Sequence, residues 1–152
     1  MQAVPLTSAS GVDKPGCMVA YRILCGLMGV AWLVVGASLF SMFFAFHSPG
    51  GRSGGLFATM GPQGHYLAAF AGCALITWAL LLLAAARRPL EGRAVGTATA
   101  LGLVLCASYR MVAWVVGDYA AVADLLRIEA AVFLTLALGF VWLRPVRVEA
   151  AT

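Results

Sequence analysis

The sequence predicts an all-α fold, an integral membrane bundle of four transmembrane helices. Of its 152 residues, 62% are hydrophobic and 11% are charged, whereas an ordinary soluble domain has about 45–50% and about 25%. The apolar residues form four continuous runs instead of alternating with a period of two, which excludes a transmembrane β-barrel. A helix needs about 20 mostly apolar residues to cross a hydrocarbon core about 30 Å thick. Each of the four runs is long enough.

The first two predicted helices cover about residues 18–46 and 65–87, and both are uncharged over most of their length. Arg87, Arg88 and Pro89 close the second helix. The four helices together form one transmembrane domain over residues 18–145, which leaves no room for a second domain.

The third and fourth predicted helices cover about residues 93–117 and 120–143. Arg110 interrupts the third helix, and three charged residues lie in the first half of the fourth. The short connections near Pro89 and near Asp118 predict that helices two, three and four are sequential antiparallel neighbours.

Small residues predict the surfaces through which the helices pack, because membrane helices associate by close backbone approach. They are Gly26, Gly29 and Gly36 on the first helix, Ala68, Ala69, Gly72 and Ala79 on the second, and Gly96, Ala100 and Gly102 on the third.

The distribution of basic residues predicts the orientation of the chain. One side of the predicted bundle has Lys14, Arg22, Arg87, Arg88, Arg93, Arg144 and Arg147, and the other has Arg52 alone. The positive-inside rule then places both termini in the cytoplasm. The sequence thus predicts a multi-pass protein of the bacterial inner membrane, with cytoplasmic tails at residues 1–17 and 146–152. The N-terminal stretch lacks the long apolar region of a signal peptide.

Several function classes are not favoured by the sequence. The net charge of +4 is spread between apolar segments instead of forming a basic stripe, so no nucleic-acid partner is expected. The four cysteines form no C-x-x-C pair, and buried thiols are expected. Neither a metal site nor a haem or other cofactor is predicted from two histidines and no E-x-x-H. The glycine-rich stretch 47–64 lacks the phosphate-loop pattern. No catalytic residues are assigned, and an enzyme is not favoured.

Charges inside predicted spans are the most informative residues, because an ionisable group at depth costs several kcal/mol unless it is paired or reaches water. If the turn between the last two helices is centred near Tyr119, Arg110 and Glu129 lie at about the same depth, roughly 13–15 Å from the turn. A guanidinium matches a carboxylate in geometry. The sequence therefore predicts an Arg110–Glu129 salt bridge inside the membrane.

Four further polar residues belong to the same predicted cluster in the outer half of the membrane. Asp124 and Arg127, three positions apart, share a helix face and predict a local ion pair near the outer surface. His65 opens the second helix on this side, and Tyr109 lies on the third. The cluster either pins the helices together, lines a cavity, or contacts a partner protein.

The chain resembles a family of small bacterial four-helix membrane proteins, a domain of unknown function that is loosely similar to DoxX-like proteins. The resemblance rests on Gly61-Pro62-Gln63-Gly64-His65-Tyr66 at the start of helix two, Ser108-Tyr109-Arg110-Met111 in helix three and Arg127-Ile128-Glu129 in helix four. It covers about residues 20–145. The family pattern has an Arg late in the third helix and a Glu early in the fourth, matching Arg110 and Glu129, and it implies no established activity.

Two interpretations of function remain open. In the first, the protein is a non-enzymatic accessory or scaffolding subunit that packs against a larger inner-membrane complex through helix one, or forms a homo-oligomer. In the second, it binds or processes a lipid, quinone or other amphiphile in an outer-leaflet cavity around Arg110, Glu129 and His65.

Overall fold

The computed structural model describes residues 15–47, 61–117 and 123–145. The described chain is all-helical, as predicted, and its elements are α1 Pro15–His47, α2 Pro62–Arg87, α3 Arg93–Val116 and α4 Ala123–Trp142. Each of these four helices is long and apolar enough to cross a membrane. Residues 15–17 of the predicted N-terminal tail (1–17) belong to α1, which starts three residues before the predicted residue 18. The rest of that tail, the predicted tail 146–152, most of the glycine-rich stretch (48–60) and the turn around Tyr119 lie outside the described residues.

The ends of α2 follow from its prolines. Pro62 occupies the first turn, where its fixed φ suits a helix and its missing N–H is not needed. α2 therefore starts three residues before the predicted residue 65. At the other end, the residue before a proline is disfavoured in the α region. Arg88, which precedes Pro89, has left the helix with φ −128° and ψ 75°, while its N–H still donates to Ala84 O.

α3 ends at a glycine in the left-handed conformation. Gly117 has φ +80° and donates its N–H to Ala113 O at 3.2 Å, a C-cap that L side chains rarely adopt. α3 ends at Val116, one residue before the predicted boundary. The described part of α4 runs from Ala123 to Trp142, and its predicted start at residue 120 lies outside the described residues.

The helices approach each other closely in two hairpins. α1 lies along α2 and α3 lies along α4, whereas α2 and α3 come close at few positions. The prediction that α3 and α4 are close neighbours is confirmed. The prediction that α2 and α3 are close neighbours is met at only a few positions. The backbones of α1 and α2 meet at Gly36 and Gly72, where a Cβ on Gly72 would lie 2.7 Å from Gly36 O. Gly26 and Gly102 were predicted to pack in the same way, but a Cβ on either would meet nothing within 4 Å.

All four helices contribute to a core at one end of the molecule. We call this the basic end, and it comprises the start of α1, the end of α2, the start of α3 and the end of α4. The buried core residues are Tyr21, Cys25, Met28, Leu82, Ala85, Ala100, Leu103, Ala137 and Phe140. The two hairpins are therefore held together mainly by side chains at the basic end.

Most of the apolar surface of the helices is not covered by the chain itself. Only 17–28% of the residues in each apolar stretch are buried inside the protein. Of the four cysteines, Cys25 alone is buried, while Cys17, Cys73 and Cys106 are exposed, which corrects the expectation of buried thiols. The uncovered apolar surface is the kind that lipid or a partner protein would cover.

Candidate functional site: a half-exposed ion pair between α3 and α4

Arg110 and Glu129 lie opposite each other on α3 and α4. Arg110 Nη2 is 3.1 Å from Glu129 Oε2. They come together because α4 packs along α3. Arg110 lies six residues before the end of α3, and Glu129 lies six residues after the start of α4.

The contact is a single close approach, not a bidentate pair. Glu129 Oε2 is itself buried, yet it accepts no hydrogen bond among the described residues, since the N–H groups of Arg110 are not aligned with it at 3.1 Å. The side chains remain 36% and 32% exposed. The pair therefore has hydrogen-bonding capacity that the described chain does not use, and part of it faces outward.

Arg127, two residues before Glu129, packs on α3. Its guanidinium carbon lies 5.3 Å from the centre of the Trp114 ring, which is the geometry of a cation–π contact. The predicted partner of Arg127 was Asp124, whose side chain lies outside the described residues. The cation–π contact was missed because the sequence places many aromatic residues within reach of an arginine and does not single out Trp114.

His65 and Tyr109 occupy different environments. His65 is 1% exposed on the first turn of α2, where its Nδ1 lies 3.1 Å from Gly61 O. A carbonyl only accepts hydrogen bonds, so Nδ1 carries the proton in this contact. Tyr109 is 60% exposed on α3 and makes no hydrogen bond or ring contact with the described residues. His65 thus bonds to the residue that caps α2, and Tyr109 lies on the exposed surface of α3.

A second set of polar contacts, at the basic end, was not predicted from the sequence. Tyr21 is fully buried, donates its hydroxyl to Gly92 O at 3.1 Å and meets the Phe140 ring edge to face at 6.2 Å. A Cβ on Gly96 would overlap the Tyr21 hydroxyl, so glycine leaves the space that the ring fills. Tyr21 thereby links α1 to the α2–α3 connection and to α4.

Two more hydrogen bonds join helices near this end. Arg22 Nε donates to Ala86 O at 3.0 Å and so satisfies a carbonyl in the last turn of α2. Trp78 Nε1 donates to Thr99 Oγ1 at 3.1 Å, which ties α2 to α3. Trp–Thr spacing in the sequence carries no signal for such a contact, because the two residues lie on different helices.

The described residues include no group of three or more His, Cys, Asp or Glu side chains that could hold a metal ion. Comparison of the chain with protein-family models, with curated proteins and with solved structures finds no match. The fold and the site therefore define the general class of the protein. It is an all-helical protein with four potential membrane spans and a partly exposed ion pair between α3 and α4.

Proposed function

We propose that the protein is a non-enzymatic accessory or scaffolding subunit of a larger complex in the bacterial inner membrane. Its four helices cross the bilayer, and both termini lie in the cytoplasm. The orientation is supported by Arg22, Arg87, Arg88, Arg93 and Arg144, which all belong to the basic end, since cytoplasmic loops carry an excess of Lys and Arg.

The observation that carries the proposal is the depth and exposure of the Arg110–Glu129 pair. Six residues of helix correspond to roughly 9 Å, and a helix of this length exceeds the hydrocarbon thickness by only about 3 Å at each end. The pair would therefore lie about 6 Å inside the hydrocarbon region. There, about one third of each side chain is left uncovered by the described chain.

Uncovered charge at this depth is unfavourable in contact with lipid tails, because the charged groups lose hydration. A polar side chain from a neighbouring transmembrane helix would accept from Arg110 and donate to the carboxylate oxygen of Glu129 other than the buried Oε2, which removes that cost and defines one orientation of the partner. We therefore place the contact with the larger complex on the α3–α4 surface around this pair. Helix one was the surface expected from the sequence, but beyond Arg22 its uncovered surface is apolar except for Ser38 and Ser41, whose hydroxyls bond to the backbone of α1, and it suits lipid equally well.

The test is native mass spectrometry of the protein extracted from its own membrane in mild detergent. A stoichiometric protein partner that is lost from the Arg110→Met/Glu129→Leu variant supports the proposal. The matched control is Arg88→Met/Glu91→Leu, which removes an exposed ion pair of 3.3 Å at the basic end and is expected to retain the partner.

Stability measurements separate this role from a purely structural one. If the Arg110→Ala and Glu129→Ala variants unfold and the Arg110→Met/Glu129→Leu variant is stable and keeps its partner, the pair only holds the hairpin together and the proposal fails. A chain that carries no protein partner but retains a defined lipid or quinone through this pair also overturns it, in favour of an amphiphile-binding site in the outer leaflet.

A further inference from the structure

Two arginines at the basic end share a groove between α1 and α2. Arg22 lies on the second turn of α1, and Arg87 is the last residue of α2. Both line a cavity of about 500 Å³. The other residues that line it are Val19, Ile23, Leu83 and Ala86. The groove thus has two cationic groups, an aliphatic wall and no carboxylate among its lining residues.

The structure fixes the position of one of these cations. Arg22 donates through Nε to Ala86 O at 3.0 Å, so its guanidinium lies at the level of the last turn of α2, beside Arg87. This bond uses one of its five N–H donors and leaves both terminal nitrogens available. Arg87 forms neither an ion pair nor a hydrogen bond with the part of the chain that the structure describes.

A neighbouring groove provides the contrast. It is lined by Arg22 and Arg88 with a volume of about 530 Å³, but it also contains Glu91. Arg88 Nη1 lies 3.3 Å from Glu91 Oε2, so the positive charge of Arg88 is balanced within the chain. Arg22 and Arg87 also border grooves that contain Glu91, but neither forms such an ion pair with the described residues.

The aliphatic wall of the groove continues along the outer surface of α1. Ile23 and Leu27, one helical turn apart on the side of Arg22 that faces away from the basic end, are 56% and 67% exposed. The groove thus has its cationic groups at one end and an exposed apolar surface leading away from them. This arrangement matches the anionic headgroup and the acyl chains of a phospholipid. A phosphate accepts charge-assisted hydrogen bonds from arginine, and acyl chains pack on exposed aliphatic side chains. Basic grooves between helices at the cytoplasmic face are typical of sites for anionic lipids.

We propose that the Arg22–Arg87 groove binds an anionic phospholipid of the cytoplasmic leaflet. Its phosphate is held between the two guanidinium groups, and an acyl chain lies along Ile23 and Leu27. The inference rests on the membrane placement and orientation given under the proposed function, but not on the partner complex.

The test uses the full chain purified in mild detergent and titrated with phosphatidylglycerol or with phosphatidylcholine of the same acyl chains. Bound lipid is counted by native mass spectrometry. We expect phosphatidylglycerol to bind more tightly than phosphatidylcholine, and Arg87→Gln to weaken that binding about fivefold, the effect of one basic residue near an anionic lipid surface. Arg144→Gln makes the same change of charge at the basic end, outside this groove, and is expected to leave binding unchanged.

Arg22→Gln is expected to have a similar effect, but it also removes the hydrogen bond to Ala86 O, so its helix content is checked by circular dichroism. Arg87→Gln loses no described contact and decides the question if Arg22→Gln does not fold. Equal binding of the two lipids, an equal loss in Arg144→Gln, or displacement of the lipid by soluble glycerol phosphate at equal affinity overturns the proposal. Protein partners are counted in separate spectra of the native extract. The lipid-binding proposal and the partner-complex proposal can therefore be refuted independently of each other.

Discussion

The contact between α1 and α2 at Gly36 and Gly72 makes a quantitative prediction. In Gly72→Ala the new Cβ would lie 2.7 Å from Gly36 O and 2.8 Å from Phe40 N. Both are backbone atoms, which cannot rotate away as a side chain can. The two helices must therefore separate by several tenths of an ångström over the whole contact. Overpacking of this kind costs about 1–3 kcal/mol.

Gly102→Ala is the matched control, because a Cβ at Gly102 meets nothing within 4 Å. Alanine has a higher helix propensity than glycine by about 1 kcal/mol, and this gain applies to both variants. The difference in unfolding free energy between Gly72→Ala and Gly102→Ala thus isolates the steric cost. We expect Gly72→Ala to be the less stable by about 1–3 kcal/mol, which is a factor of roughly 5 to 150 in the unfolding equilibrium.

The assay is equilibrium unfolding by SDS in mixed micelles, followed by circular dichroism and tryptophan fluorescence. Gly36→Ala should behave like Gly72→Ala, since its Cβ would lie 2.9 Å from Gly72 O. The double variant should cost less than the sum of the two, because one separation of the helices relieves both contacts. Stabilities of Gly72→Ala and Gly102→Ala that agree within about 0.5 kcal/mol would refute the reasoning.

Three further predictions concern the basic end. Tyr21→Phe keeps the ring but loses its hydroxyl donor, and it should lower the unfolding free energy by about 1–2 kcal/mol; an unchanged value contradicts the buried hydrogen bond. Trp78→Phe deletes the donor to Thr99 and should cost about 0.6 kcal/mol in the same assay, the average for a hydrogen bond between membrane helices. In single-cysteine variants, a water-soluble maleimide should label exposed Cys17 and not buried Cys25, and equal labelling rates would show that the α1 core is open.

The helices could be predicted from the sequence because each is a long apolar run in a chain with few charges. The same scarcity of charge singled out Arg110 and Glu129, since a charged residue within such a run stands out. Their pairing was expected from equal depth, and in the structure they lie 3.1 Å apart. That this contact lies inside a membrane is part of the proposal.

Other contacts could not be predicted, because they depend on which face of a helix meets which neighbour. Tyr21 donates to a carbonyl 71 positions away, and nothing in the local sequence marks that tyrosine among the other aromatic residues. Which small residues lie at a helix contact could not be predicted for the same reason. Gly29 and Gly26 are one turn apart, yet a Cβ on Gly29 would lie 2.9 Å from Leu83 Cγ, whereas a Cβ on Gly26 meets open space.

Arginines have different partners at the two ends of the molecule, and this difference supports the proposed placement in the membrane. At the basic end, Arg87 stands without a carboxylate among the described residues, which water or lipid headgroups can tolerate at a membrane surface. In the opposite half, Arg110 is matched by Glu129, and Arg127 is placed over an aromatic ring. Compensation is needed where hydration is poor. In the proposed orientation, the paired charges of α3 and α4 would lie at hydrocarbon depth, and Arg87, like the exposed Arg88–Glu91 pair, would lie at the cytoplasmic surface.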